Sequence, residues 1–181
     1  MARHAAARAL GGAENLPAPP GDPALRQPAG CFVTFKRRDK PPGLGLRGCL
    51  GVMEAREPLW DAVARVAAES VTEDPRFAFE RVTLDELPEL HIDVSVLHPP
   101  RELRAPLDFE LGADGIIVEG QGRWSGHRGV YLPQVAAEFG MSKEQFLASC
   151  CQSKAGLPAE AWRDAKLCKV RAFRAEVFGE P

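Results

Sequence analysis

Cys31-Phe32-Val33-Thr34-Phe35 and Leu46-Arg47-Gly48-Cys49-Leu50 are two short runs separated by a loop through Pro41-Pro42-Gly43. The first is β-branched and aromatic and the second is short and turn-bounded, so together they predict an antiparallel hairpin. Upstream, Ala2 to Leu10 are helix formers stopped by Gly11-Gly12, and Leu16 to Gly30 is too rich in Pro, Gly and Ala to be regular. Downstream, Pro58 can occupy a first helical turn. Leu59, Val63 and Val66 then recur on one stripe and Trp60, Ala64, Ala67 and Val71 on the next, predicting a helix that ends before Asp74-Pro75.

The pattern continues in the same idiom. Thr83-Leu84-Asp85-Glu86 has the form of a capping box, opening a short turn that Pro88 ends. Leu90 to Leu97 alternates, with Ile92, Val94 and Val96 facing one way and His91, Asp93 and Ser95 the other. Pro99-Pro100 and Pro106 predict irregular chain, and Gly112-Ala113-Asp114-Gly115 a turn into the strand Ile116-Ile117-Val118. Glycines 120, 122, 126 and 129 predict a long flexible loop before Val130-Tyr131-Leu132. Pro133 opens a helix that Gly140 ends, and Ser142 with Gln145 caps the next, which carries Phe146, Leu147, Cys150 and Cys151 on one face. Pro158 opens a short helix through Trp162. Leu167 to Phe178 changes phase part-way, which predicts a terminal strand with a bulge near Ala172.

Strands joined by short turns and interrupted by groups of helices give an α+β fold, a mainly antiparallel sheet flanked by helices, in two closely joined subdomains. The βαβ rhythm of a parallel sheet is missing. Residues 1–181 form one domain on this reading, with 1–29 a helix and a Pro-rich connection and 30–178 the core.

Composition excludes several classes. The 181 residues are 45% apolar and 27% charged with a formal charge of −2, so nothing steers the chain as a whole onto nucleic acid or an anionic membrane. Lys36-Arg37-Arg38 reads as a solvated loop, and no apolar run is long enough to cross a bilayer. The five cysteines, Cys31, Cys49, Cys150, Cys151 and Cys168, are odd in number and hold no C-x-x-C pair. This argues against a disulfide framework and a metal site and for a reducing compartment, the cytoplasm by default. No cofactor is called for. Gly43-x-Gly45-x-x-Gly48 matches a dinucleotide-binding turn in letters only, because it runs into a strand where that turn must open a helix.

Chemistry gathers at Cys49. Gly48 and Gly51 strip shielding side chains from around the thiol, and Arg47 shares its face by strand alternation, so a thiolate there would have a cation beside it. Asp93, with Ser95 and His91 on one strand face, offers a base, although an exposed polar face is the commoner account of a His-x-Asp pair. Cys150 and Cys151 on an apolar stripe, Trp162, Lys154 and Arg163 read as packing and surface.

Leu46-Arg47-Gly48-Cys49-Leu50-Gly51, Asp74-Pro75-Arg76-Phe77, Asp93-Val94-Ser95-Val96-Leu97, Gly112-Ala113-Asp114-Gly115-Ile116, Leu132-Pro133-Gln134-Val135-Ala136 and Lys154-Ala155-Gly156-Leu157-Pro158 through Trp162 occur in this order. Together they resemble the AMMECR-type domain family, over Gly30 to Phe178. The family pattern commonly has Ile where Leu50 stands and Glu where Asp93 stands. The resemblance implies a compact α+β fold of two subdomains and, in prokaryotes, a component of the AmmeMemoRadiSam system, whose companions are a radical-SAM protein and a Memo-like protein. It also implies an active or ligand site at Leu46 to Gly51.

Three functions follow as expectations. The first is an enzyme or substrate carrier using Cys49, with Asp93 as base, Arg47 gripping an anionic group, and Ser95 or Gln134 as polar support. The second is a non-enzymatic partner-binding scaffold that engages those companions through the loop from Gly120 to Gly129, with Trp124 as anchor. The third is an RNA-associated modification factor contacting phosphates through Lys36, Arg37, Arg38 and Arg47.

Overall fold

The computed structural model describes residues 1–41, 44–54 and 56–180. Pro42 and Gly43 fall outside them, and with them the tip of the first predicted loop and the first glycine of the Gly43-x-Gly45-x-x-Gly48 pattern. The chain divides into two compact units, Met1–Leu97 with Glu176–Pro181, and His98–Ala175. The fold is α+β.

In the first unit, α1 (Ala2–Ala9) precedes β1 (Cys31–Arg37), β2 (Leu46–Val52), α2 (Leu59–Thr72) and β3 (Leu90–Leu97). The strands lie in the order β2-β1-β3, with both pairings antiparallel. The predicted hairpin is present, with Thr34 opposite Cys49 and Val33 opposite Leu50. Lys36 and Arg37, expected in a solvated loop, continue β1 instead. Alternation puts Cys31, Val33, Phe35, Leu90 and Ile92 into a buried core with Leu59, Val63, Val66 and Val71 of α2 and Ala2, Ala5, Ala6 and Ala7 of α1. Residues of opposite parity face away from α2.

Pro58 stands immediately before α2 as its N-cap, one position ahead of the first turn that the sequence predicts for it. The Thr83 box is only half made: the Glu86 N–H donates to Thr83 Oγ1, whereas the Glu86 side chain goes elsewhere, and Pro88 sits inside the 3-10 turn Leu87–Glu89 that follows.

The second unit holds β4 (Arg101–Glu102), β5 (Asp114–Gly120), β6 (Arg128–Tyr131), α3 (Gln134–Glu138), α4 (Lys143–Ser149) and most of β7 (Cys168–Gly179). β7 pairs with β5 and β4, and β5 with β6, all antiparallel. The Ser142–Gln145 capping box forms in full, and Phe146, Leu147, Cys150 and Cys151 enter the buried cluster of this unit.

Two expectations fail here. No bulge occurs at Ala172, because the β5–β7 register runs unbroken from Asp114 opposite Arg174 to Gly120 opposite Cys168. The phase change has another cause: Ala172 and Phe173 point to opposite faces and both are buried. Residues 121–127 are also not a long open loop. The Gly120 N–H donates to the His127 carbonyl at 2.8 Å, a 3-10 turn covers Gly122–Trp124, and Trp124 packs against the core of its own unit.

Candidate functional site

Strand alternation and register assemble the site on the face of β1, β2 and β3 turned away from α2. Thr34 stands opposite Cys49 on one side and opposite Asp93 on the other, so Cys49, Thr34 and Asp93 form a row across three strands. Lys36 opposite His91 and Phe32 between Gly51 and Ser95 flank that row.

The glycines are explained by close approach. A Cβ on Gly48 would lie 2.2 Å from the Ser70 carbonyl oxygen, so glycine is what lets β2 press against α2. The Ser70 hydroxyl accepts from the Leu50 N–H at 3.1 Å and donates to the Val33 carbonyl at 3.0 Å, joining helix and hairpin at the residue pair beside Cys49. Gly51 makes room for its cross-strand partner, since its Cβ would lie 2.2 Å from the Phe32 ring. Gly115 and Phe173 repeat the device in the second unit.

Cys49 is half-buried and the other four cysteines are buried. Its sulfur accepts from Thr34 Oγ1 at 3.3 Å. β2 is the edge of its sheet, and at Cys49 the outward backbone groups are taken up: the N–H donates to Asp74 Oδ2 at 2.9 Å and the carbonyl accepts from Arg76 Nη2 at 2.8 Å. Asp74 is only 1% exposed and also accepts from the Arg76 N–H and from both Arg76 Nε and Nη2. Burial pushes its carboxyl up, but the Arg76 guanidinium and the N–H groups of Cys49 and Arg76 outweigh that and hold it below the usual carboxylate range. The Arg76 guanidinium is raised in turn by its bond to Asp74 first and, further down, by the Cys49 side chain it faces.

Arg76 therefore holds the place beside the thiol that the sequence offered to Arg47. The β1–β2 register slips between Phe35 and Lys36, so that Gly48 opposes Phe35 while Leu46 opposes Lys36, and Arg47 is the extra residue. Its guanidinium donates to both oxygens of Glu86, at 2.6 and 2.9 Å, with side chains 13% and 15% exposed. A buried fork of this kind leaves Arg47 no free charge with which to grip a ligand.

Asp93 is likewise engaged. Lys36 Nζ lies 2.5 Å from Oδ2 and His91 Nε2 2.9 Å from Oδ1, with the carboxylate side chain 18% exposed. Because a carboxylate only accepts, His91 Nε2 carries the proton toward it and Nδ1 is the ring nitrogen left over. Cys49 and Asp93 are two strand spacings apart, ~10 Å, beyond direct proton transfer. Asp93 orients His91 and Lys36. Ser95 lies in the same strand, buried opposite Phe32. Gln134 opens α3 in the second unit, and the row is complete without it.

Sequence reasoning missed Thr34, Lys36, Asp74 and Arg76. The available signals were the shared parity of Phe32, Thr34 and Lys36, and the Asp-Pro-Arg-Phe run itself, whose Asp74 caps the short turn Pro75–Phe77. Among the described residues no cluster of three or more His, Cys, Asp or Glu could hold a metal ion.

The AMMECR1 family model matches residues 1–178, taking in α1 as well as both units. The chain belongs to the AMMECR1 family. Among its relatives, a protein of Thermococcus gammatolerans is 43% identical over 169 residues, covering 90% of this chain and 78% of that protein. One of Methanothermobacter thermautotrophicus is 40% identical over 187 residues, covering 99% and 91%. The crystal structure of protein PH0010 from Pyrococcus horikoshii superposes with a TM-score of 0.87 at 39% identity, covering 99% of this chain and 87% of that one. Among the described residues no helix is long and apolar enough to cross a membrane.

Proposed function

We propose that Cys49 is the reactive centre of this AMMECR1-family chain, a thiol that attacks or carries an electrophilic ligand lying on the β1–β3 face. Thr34 Oγ1 donates to its sulfur, Arg76 fixes its backbone carbonyl, and Asp93 fixes Lys36 and His91 further along the same face. Ser95, Gly48 and Gly51 shape the site, and Arg47 acts as a positioning residue that ties β2 to Glu86. One observation carries the reading: the single partly exposed thiol of the five is the one whose sulfur accepts from a hydroxyl and whose backbone carbonyl is held by a guanidinium. Such a thiol must stay reduced, which suits the cytoplasm. The companions that the family resemblance implies, a radical-SAM protein and a Memo-like protein, are the proposed source or recipient of the ligand.

The test is labelling with iodoacetamide at neutral pH, mapped by peptide mass spectrometry. Native Cys49 reacts faster than the same residue in the denatured chain. Equal rates, or no labelling, overturn the reading.

The other two expectations draw less support. Trp124, the anchor of the scaffold reading, packs into its own unit. Of the basic run, Lys36 is paired with Asp93, Arg37 with Asp39 and Glu89, and Arg38 with Glu180, so little free positive charge faces a phosphate backbone.

A further inference from the structure

Lys36 is a strongly cationic group within β1, on the same face as Thr34, and among the described residues its bonding is incomplete. An ammonium has three donors, of which one reaches Asp93 Oδ2, while the side chain is 44% exposed. Lys36 and Cys49 are diagonal neighbours, since Thr34 opposes Cys49 and Lys36 is two residues along β1. Their Cβ atoms are therefore ~7–8 Å apart, and the ion pair with Asp93 draws the ammonium toward β3. Among the described residues no group is bonded to both ends of that gap, and the hydroxyl between them, Thr34 Oγ1, is already donated to the sulfur. A molecule bonded to Cys49 can span it.

We propose that the ligand of this site is a carboxylate-bearing electrophile lying across β1, with its electrophilic carbon at Cys49 Sγ and its carboxylate on Lys36 Nζ. The inference rests on the reading of Cys49 as the reactive thiol and adds the chemical class of what it meets. Asp93 sets the charge: its carboxylate already shares the ammonium, so a single negative charge is accommodated whereas a phosphate dianion would stand against it. A short ligand suffices, with a few bonds between reactive carbon and carboxylate.

The test uses three probes of one length on the full chain: N-bromoacetylglycine, the neutral N-bromoacetylglycinamide, and N-bromoacetylaminomethylphosphonate. In each case the thiolate displaces bromide, forming one S–C bond as one C–Br bond breaks, and the rate of modification at Cys49 is read by mass spectrometry. The ratio of carboxylate to amide rates cancels the intrinsic reactivity of the thiol. It is expected to be about fivefold in the wild type, the size of a partly exposed ion pair, to fall to near one in Lys36→Gln, and to persist in Lys36→Arg. It also shrinks as salt rises, a measurement that stands even if Lys36→Gln does not fold. The phosphonate reacts more slowly than the carboxylate. A ratio near one in the wild type, a ratio untouched by Lys36→Gln, or a phosphonate that reacts fastest overturns the proposal while leaving a reactive Cys49 in place. A Cys49 inert even to the amide overturns both readings.

Discussion

Replacing Asp74 by Asn removes one negative charge from a site that is 1% exposed and bonded to the Cys49 N–H, the Arg76 N–H and the Arg76 guanidinium. A hydrogen bond from a buried amide to a charged acceptor contributes about 1.5–3 kcal/mol. The ion pair itself counts for less, about 1 kcal/mol or under, because the Arg76 side chain is half exposed and water takes up its charge when the partner is gone. The expected loss is about 3 kcal/mol, or about 6–12 °C in melting temperature for a chain of this size. The pH dependence carries the sharper signature. The Asp74 carboxyl is lowered in the folded chain, so its contribution is full above the unfolded value near pH 4 and disappears as the pH falls through the lower folded value. Urea unfolding followed by circular dichroism, with hydrogen exchange at the Cys49 amide to localise the effect, should show a large gap between wild type and Asp74→Asn at pH 7. That gap should narrow toward pH 2. A gap of the same size at both pH values refutes the electrostatic account, and no gap at pH 7 refutes the clamp.

Other outcomes follow from the same geometry. Gly48→Ala drives a Cβ into the backbone of Ser70 and should cost about 1–3 kcal/mol in thermal melts. Gly51→Ala meets the Phe32 side chain first, which can turn where the Ser70 backbone cannot, and should cost less. Arg47→Met and Glu86→Gln should each destabilise by about 3 kcal/mol, and the double variant by clearly less than their sum, because the second change removes the orphaned partner of the first. Burial pushes the Cys31 thiol up to about 11. The unfolded chain then loses that proton before the folded one, so stability should fall from about pH 8.5 to pH 11, and Cys31→Ala should flatten that decline in denaturant titrations.

What the sequence made legible was local. α1, α2, β3 and the Ser142 cap are written in contiguous residues, and so is the β1–β2 hairpin. β4 was invisible because Arg101 and Glu102, set among prolines, carry no period; only their pairing with Arg171 and Ala172 makes them a strand. β7 was misread because its period records which faces are covered, and Phe173 is buried against the alternation of its neighbours. The candidate site divides along the same line. Cys49, Gly48, Gly51 and Asp93 could be nominated from one run or one strand. Thr34 and Lys36 gain meaning only once β1 lies between β2 and β3, and Arg76 reaches Cys49 from beyond the intervening helix α2. Arg47 was assigned to the thiol because alternation assumes an unbroken register, and the slip between Phe35 and Lys36 breaks it.

The most direct measurement of the central claim is the second-order rate of iodoacetamide with Cys49 at pH 7.5 in the wild type, Arg76→Met and Thr34→Val. With Thr34 donating to the sulfur and Arg76 fixing the strand edge at Cys49, both variants should alkylate several-fold more slowly than the wild type while the four buried cysteines stay unlabelled in all three. Equal rates at Cys49 in the three proteins would contradict the account.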